Sequence, residues 1–174
     1  MCLRAIGIAA VFAVVAGTAF ASPQTRLAIW GAFHTTSARL VARDESCAFR
    51  TKARILSYMS NAMRIGRGPA VARVEFFIPH YRGRGRYDAR IPAPYSRTAV
   101  QVVTGRKATT GVGSFYSATS GSVTVVRSKN VGRPWHSGFV SGTVHAELRL
   151  QRGSKRLRLD GSWHCRIDPT SNGG

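Results

Sequence analysis

Acidic side chains are scarce in this chain. Its 174 residues hold 7 Asp and Glu against 26 Lys and Arg, a formal charge of +19. So few carboxylates leave the five histidines short of partners for a Ser-His-Asp arrangement, and no Gly-x-Ser-x-Gly elbow occurs. A phosphate loop, a dinucleotide-binding glycine pattern and a zinc finger are also missing, so no cofactor is expected. Lysine is confined to positions 52, 107, 129 and 155, which leaves arginine to carry the charge. Cysteine occurs three times. Past residue 21 no apolar run approaches the ~20 residues of a membrane-spanning helix.

What is present starts with a leader-like segment over residues 1–21. Arg4 supplies a positive start, Ala5 to Ala16 an apolar run, and Ala19-Phe20-Ala21 the small residues that precede a cleavage site. A signal peptide is the expectation; the run is too short and too rich in Ala and Gly for a membrane anchor. Cleavage after Ala21 removes Cys2 and leaves 153 residues with 25 basic and 7 acidic side chains, a charge of +18. Secretion, or residence in a periplasm or cell envelope, follows. Residues 22–167 read as one domain and the polar, glycine-rich 168–174 as a disordered tail.

Apolar residues recur at period two, the signature of half-buried strands. Leu27, Ile29, Gly31 and Phe33 share a face, as do Ala72, Val74, Phe76 and Ile78 before Pro79 stops the ladder. Val100 with Val102, Phe115 with Tyr116, and Val123 with Val125 mark further strands. Cys47, Phe49, Thr51, Ala53 and Ile55 read as one face of a single strand whose other face carries Arg50, Lys52 and Arg54. Residues 57–66 could form one short helix or a loop. The sum is an all-β fold, an antiparallel sandwich or barrel of about eight strands.

The last two strands alternate most clearly. Val140, Gly142, Val144, Ala146, Leu148 and Leu150 face inward, as do Leu157, Leu159, Gly161, Trp163, Cys165 and Ile167. Gly153-Ser154 suits a two-residue hairpin turn, which sets Leu150 opposite Leu157. On the outer face that register places Glu147 opposite Asp160, His145 opposite Ser162, Thr143 opposite His164, and Arg149 opposite Arg158. Opposed Cβ atoms lie about 4.5–5.5 Å apart, so carboxylates and imidazoles would share one patch. A ladder of ion pairs with the two arginines accounts for it without a ligand. His145, Glu147, Asp160 and His164 are the candidates for a metal site or hydrolase centre if one exists.

Cys47 and Cys165 remain after the leader, 118 residues apart and both at inward positions. An even count in an oxidising compartment makes them a structural disulfide. The segments Gly121-Ser-Val-Thr-Val125, Val140-Ser-Gly-Thr-Val-His-Ala-Glu-Leu148 and Leu159-Asp-Gly-Ser-Trp-His-Cys165 resemble the C-terminal part of small exported bacterial β proteins of uncharacterised function. That resemblance covers about a quarter of the chain. It implies a disulfide-linked β fold and no activity.

The densest basic tract is Arg82-Gly-Arg-Gly-Arg86, flanked by Tyr81 and Tyr87, with Arg90 and Arg97 nearby. Arginines on a glycine loop can fork around phosphate or sulfate, and tyrosines can stack on rings. A turn with solvated arginines is the plainer reading. Arg50, Lys52 and Arg54 would extend the patch if the fold brings them alongside. The expectation is a non-enzymatic module that binds acidic polymers of an envelope or host surface. Nucleic acid is disfavoured, because exported proteins seldom meet it. Two other readings stand: a hydrolase or metal-dependent enzyme around the four outer-face residues, and a protein-interaction subunit using an apolar patch that includes Phe77.

Overall fold

In a computed structural model of the chain, which describes residues 25–36, 45–60, 62–67, 69–90, 97–107, 112–133 and 135–167, every regular element is a β-strand. The segment expected as a signal peptide and the tail 168–174 lie outside the described residues. The strands are β1 (Arg26–Gly31), β2 (Thr35–Thr36), β3 (Ser46–Arg50), β4 (Ile55–Met59), β5 (Met63–Arg64) and β6 (Val71–Ile78). They continue as β7 (Gly85–Asp88), β8 (Ala99–Lys107), β9 (Val112–Lys129), β10 (Gly138–Leu150) and β11 (Arg156–Ile167). Among the described residues no helix is long and apolar enough to cross a membrane.

The all-β expectation holds, with strands of very uneven length: β2 and β5 have two residues each, while Phe115 with Tyr116 and Val123 with Val125, expected on separate strands, both lie on the single 18-residue β9. The strands form one mixed sheet rather than two packed ones, in the order β10-β9-β8-β6-β4-β3-β11-β1-β2. β10 also pairs with β11, so the path curls back on itself. It is not a regular barrel. Where β3 meets β11 the paired residues among those described are Ile167 and Cys47, and that contact is parallel. The Cys47–Cys165 disulfide crosses this thin seam, with the two Cα atoms 6.0 Å apart. A covalent link thus stands where the backbone ladder is weakest.

Curvature comes from named devices. β9 pairs along its length with β10, but the register shifts leave Thr119 and Val126 unmatched, and such bulges bend and twist a strand. Gly121 has φ +131° and Gly142 lies where a Cβ would overlap the Thr124 carbonyl of β9. Trp163 sits opposite Gly142, and its indole N–H donates to the Thr143 carbonyl at 3.2 Å. The bare backbone lets β9 and β10 approach, and the indole covers it. Trp163 then packs on Phe76 and Tyr58, whose ring centroids lie 4.8 and 5.5 Å away, with Tyr58 stacked on Phe76 at 4.6 Å. Leu27, Ile29, Val74, Ile78, Leu148, Leu157, Leu159 and Ile167, all at expected inward positions, are fully buried with them, and so is Leu56.

Three local expectations fail. The run from Cys47 to Ile55 is not one strand: Thr51 to Arg54 form a turn, closed by the Arg54 N–H donating to the Thr51 carbonyl at 3.2 Å, and β3 and β4 form a hairpin. The turn moves the inward face from Cys47 and Phe49 to Leu56 and Tyr58, so Leu56 is buried where Ile55 was expected. Arg54 takes a left-handed φ of +51°, which usually announces itself as glycine. The described residues of 57–66 contain no helix; Tyr58 lies in β4, paired with Cys47 of β3 and Phe76 of β6. The β10–β11 turn is four residues long, Gln151 to Ser154, with the Leu150 N–H donating to the Lys155 carbonyl at 2.9 Å. The pairing is therefore displaced by two residues from the expected one. Faces are preserved, since two is the period of a strand.

Candidate functional site

The displaced register dissolves the expected crowd of like charges. Glu147 lies opposite Arg158, His145 opposite Asp160, Thr143 opposite Ser162 and Ser141 opposite His164. Unlike charges now face one another, which is the favourable arrangement. The His145 Nδ1 is bonded to Asp160, whose second oxygen accepts from the Arg158 guanidinium at 2.8 Å. His145 is half exposed on this outer strand face. Among the described residues no three His, Cys, Asp or Glu side chains gather closely enough to hold a metal ion, and His164 stands on a different rung from His145.

His164 departs from the alternation: it is buried, not outward-facing. Thr25 and Glu45 cover it. The His164 amide donates to Thr25 Oγ1 at 3.1 Å, and that oxygen also lies 3.2 Å from His164 Nδ1. Glu45 Oε2 is 4.0 Å from the same nitrogen and meets no donor within hydrogen-bonding distance among the described residues, while Glu45 Oε1 accepts from the Tyr58 hydroxyl at 3.1 Å. Burial pushes the Glu45 carboxyl above the usual carboxylate range, with Thr25 and Tyr58 pulling it back part of the way. Burial also lowers His164, favouring the neutral ring. This is not a triad. Both neighbours address one nitrogen, whereas a relay needs the hydroxyl and carboxylate on opposite sides of the ring.

The basic segments, by contrast, come together. The Arg54 guanidinium donates to the Tyr81 carbonyl at 3.0 and 3.2 Å, and the Tyr81 N–H donates back to the Arg54 carbonyl at 2.8 Å. The β3–β4 turn and the β6–β7 turn are thus clipped side by side. The link between β9 and β10 joins them through the core: Tyr81 packs edge-on against Phe49 at 5.8 Å, and Gly132, with φ +75°, lies flat against the Phe49 ring. Tyr81 also donates to Ser128 Oγ at 2.8 Å. One end of the sheet is therefore bordered by three adjoining turns.

Each turn and the strand beside it carry exposed cations. Lys52 and Arg54 lie in the first turn with Arg50 at the end of β3, Arg82 and Arg84 in the second with Arg86 in β7, and Arg133 in the third with Arg127 and Lys129 in the last residues of β9. Among the described residues, the carboxylate next to these stretches in sequence is Asp88, paired with Arg86 at 3.1 Å. Cations also border the opposite end, at Arg64, Arg67, Arg152, Lys155 and Arg156. The tyrosines differ from expectation in role. Tyr81 is buried, and Tyr87, half-buried, stacks one ring face on it at 5.9 Å. Tyr87 instead laces the glycine loop: its hydroxyl donates to the Gly83 carbonyl at 2.8 Å and accepts from the Arg82 N–H at 3.0 Å. The arginine loop is held in one shape.

Two shallow clefts lie elsewhere. One of about 460 Å³ is lined by Gln101, Ser117, Thr119, Arg149 and Gln151; a smaller one of about 250 Å³ lies beside Ser141, Thr143, Ser162 and His164. Comparison of the chain with protein-family models, with curated proteins and with solved structures returns no match.

Proposed function

We propose that this is an exported, non-enzymatic binding module that holds acidic polymers of an envelope or host surface on the end bordered by Arg54, Arg82 and Arg84. The observation that carries the reading is the clip between Arg54 and Tyr81, which fixes two arginine-bearing turns beside each other. Cations prepared in this way lose less freedom on binding than cations on a loose chain. Guanidinium groups can fork onto sulfate, phosphate or carboxylate groups. The surrounding charge draws polyanions in and is screened by salt.

A binding role is favoured over catalysis because the histidines are committed elsewhere. His145 is tied to Asp160 on an open strand face, and His164 is enclosed by Thr25 and Glu45. Export accords with the Cys47–Cys165 disulfide, since such bonds persist in oxidising compartments. Retention on immobilised heparin tests the reading. It should fall steeply between about 50 and about 500 mM salt. Retention indifferent to salt, or none at low salt, would contradict it.

A further inference from the structure

Trp135 is 91% exposed, more than any other large apolar side chain among the described residues. It lies in the link between β9 and β10, two residues after Arg133, at the end that carries the clipped turns. Its backbone takes φ +66°, a conformation bulky L residues disfavour. No buried packing rewards that conformation, since the ring stands in solvent. Strain at an exposed aromatic is a reason to look for a partner.

One further exposed apolar residue stands toward the same end: Phe77, 42% exposed, is the penultimate residue of β6, immediately before the arginine loop. Val126, 54% exposed, lies apart, in the shallow cleft beside Gly142 and Trp163. Trp30, the remaining exposed large hydrophobic, pairs with Arg158 toward the opposite end, near the β10–β11 turn. Both ends are basic, but this end combines cations with Trp135, the most exposed large apolar side chain among the described residues.

We infer that this end docks on an anionic lipid surface, its arginines on the headgroups and Trp135 in the interfacial layer. The inference rests on the basic end proposed above and adds a second kind of occupant for it. An acidic polymer in water would satisfy the arginines and leave Trp135 and Phe77 wet. A bilayer takes both: anionic headgroups attract basic clusters, and an indole is favoured at the boundary between headgroup and acyl chain. No chain segment needs to cross the bilayer.

The test uses the full chain as processed by an exporting host, with vesicles of phosphatidylcholine alone or with about 30 mol % phosphatidylglycerol. The protein should sediment with the anionic vesicles and remain free of the neutral ones. Bromine-labelled acyl chains should quench its tryptophan emission, and Trp135→Phe should abolish that quenching. Trp135→Ala should weaken sedimentation about tenfold while leaving heparin elution unchanged. Equal sedimentation of wild type and Trp135→Ala would overturn the inference. So would quenching that survives Trp135→Phe, or a Trp135→Ala variant that loses heparin retention instead. Heparin retention without vesicle binding would overturn this inference alone; loss of both would remove the basic end as a binding surface.

Discussion

The guanidinium of Arg54 and the carbonyl of Tyr81 are joined by two hydrogen bonds of 3.0 and 3.2 Å, and the amide of Tyr81 answers with a third to the Arg54 carbonyl. This pair converts two sequence-distant turns into one surface. It also explains why Arg54 tolerates a φ of +51°. Arg54→Lys keeps the charge but loses the fork, and should destabilise the protein by about 1 kcal/mol. A urea midpoint unchanged by Arg54→Lys would show that the clip contributes nothing.

The disulfide should matter more than its single position suggests. It closes 118 residues and crosses a seam with one backbone pair among the described residues. Replacing Cys47 and Cys165 together by Ser should lower stability by up to about 5 kcal/mol. Hydrogen exchange should quicken first around Cys47 and Ile167, while the β9–β10 ladder stays protected. Uniform quickening across the sheet would contradict this.

Stability should depend on pH through the enclosed pair of Glu45 and His164. Folding raises the Glu45 pKa, so the native state holds that proton more tightly. Stability from this group is therefore greatest at low pH and falls as pH rises past the ordinary value of 4.5. His164 acts in reverse: its lowered pKa penalises the native state in acid, and stability recovers as pH approaches the ordinary 6.5. Glu45→Gln removes the first effect alone. The variant should gain on wild type from about pH 4 to pH 8 in urea titrations. A pH-independent difference between them would refute the assignment.

Gly142 allows β9 and β10 to approach, because any Cβ there overlaps the Thr124 carbonyl. Gly142→Ala should cost about 2 kcal/mol or more, since backbone must move to admit it. The check is the thermal midpoint together with near-UV circular dichroism from Trp163. A neutral substitution would show that the close approach is unimportant.

Sequence alternation revealed most of the core and little of the surface geometry. Ala72, Val74, Phe76 and Ile78 are all buried as expected, because β6 lies between β4 and β8 with one face against the core. The β10–β11 faces were legible and their register was not. Gly153 invited a tight turn, yet the four-residue turn pairs Glu147 with Arg158 and His145 with Asp160, and the net charge pattern decides. His164 was misread for another reason: Thr25 and Glu45, far away in sequence, cover that stretch of β11, and period two carries no trace of a distant lid. Arg82, Arg84 and Arg86 were evident as a cluster. That Arg54 would join them through Tyr81, and that Trp135 would stand beside Arg133 exposed, were properties of the folded chain alone.

The direct measurement compares two charge reversals of equal size on the heparin column. Arg82→Glu with Arg84→Glu alters the clipped end; Arg152→Glu with Lys155→Glu alters the opposite end by the same charge. The first pair should elute at much lower salt than wild type, and the second close to it. Equal loss from both would show that net charge alone drives retention and that no defined surface exists.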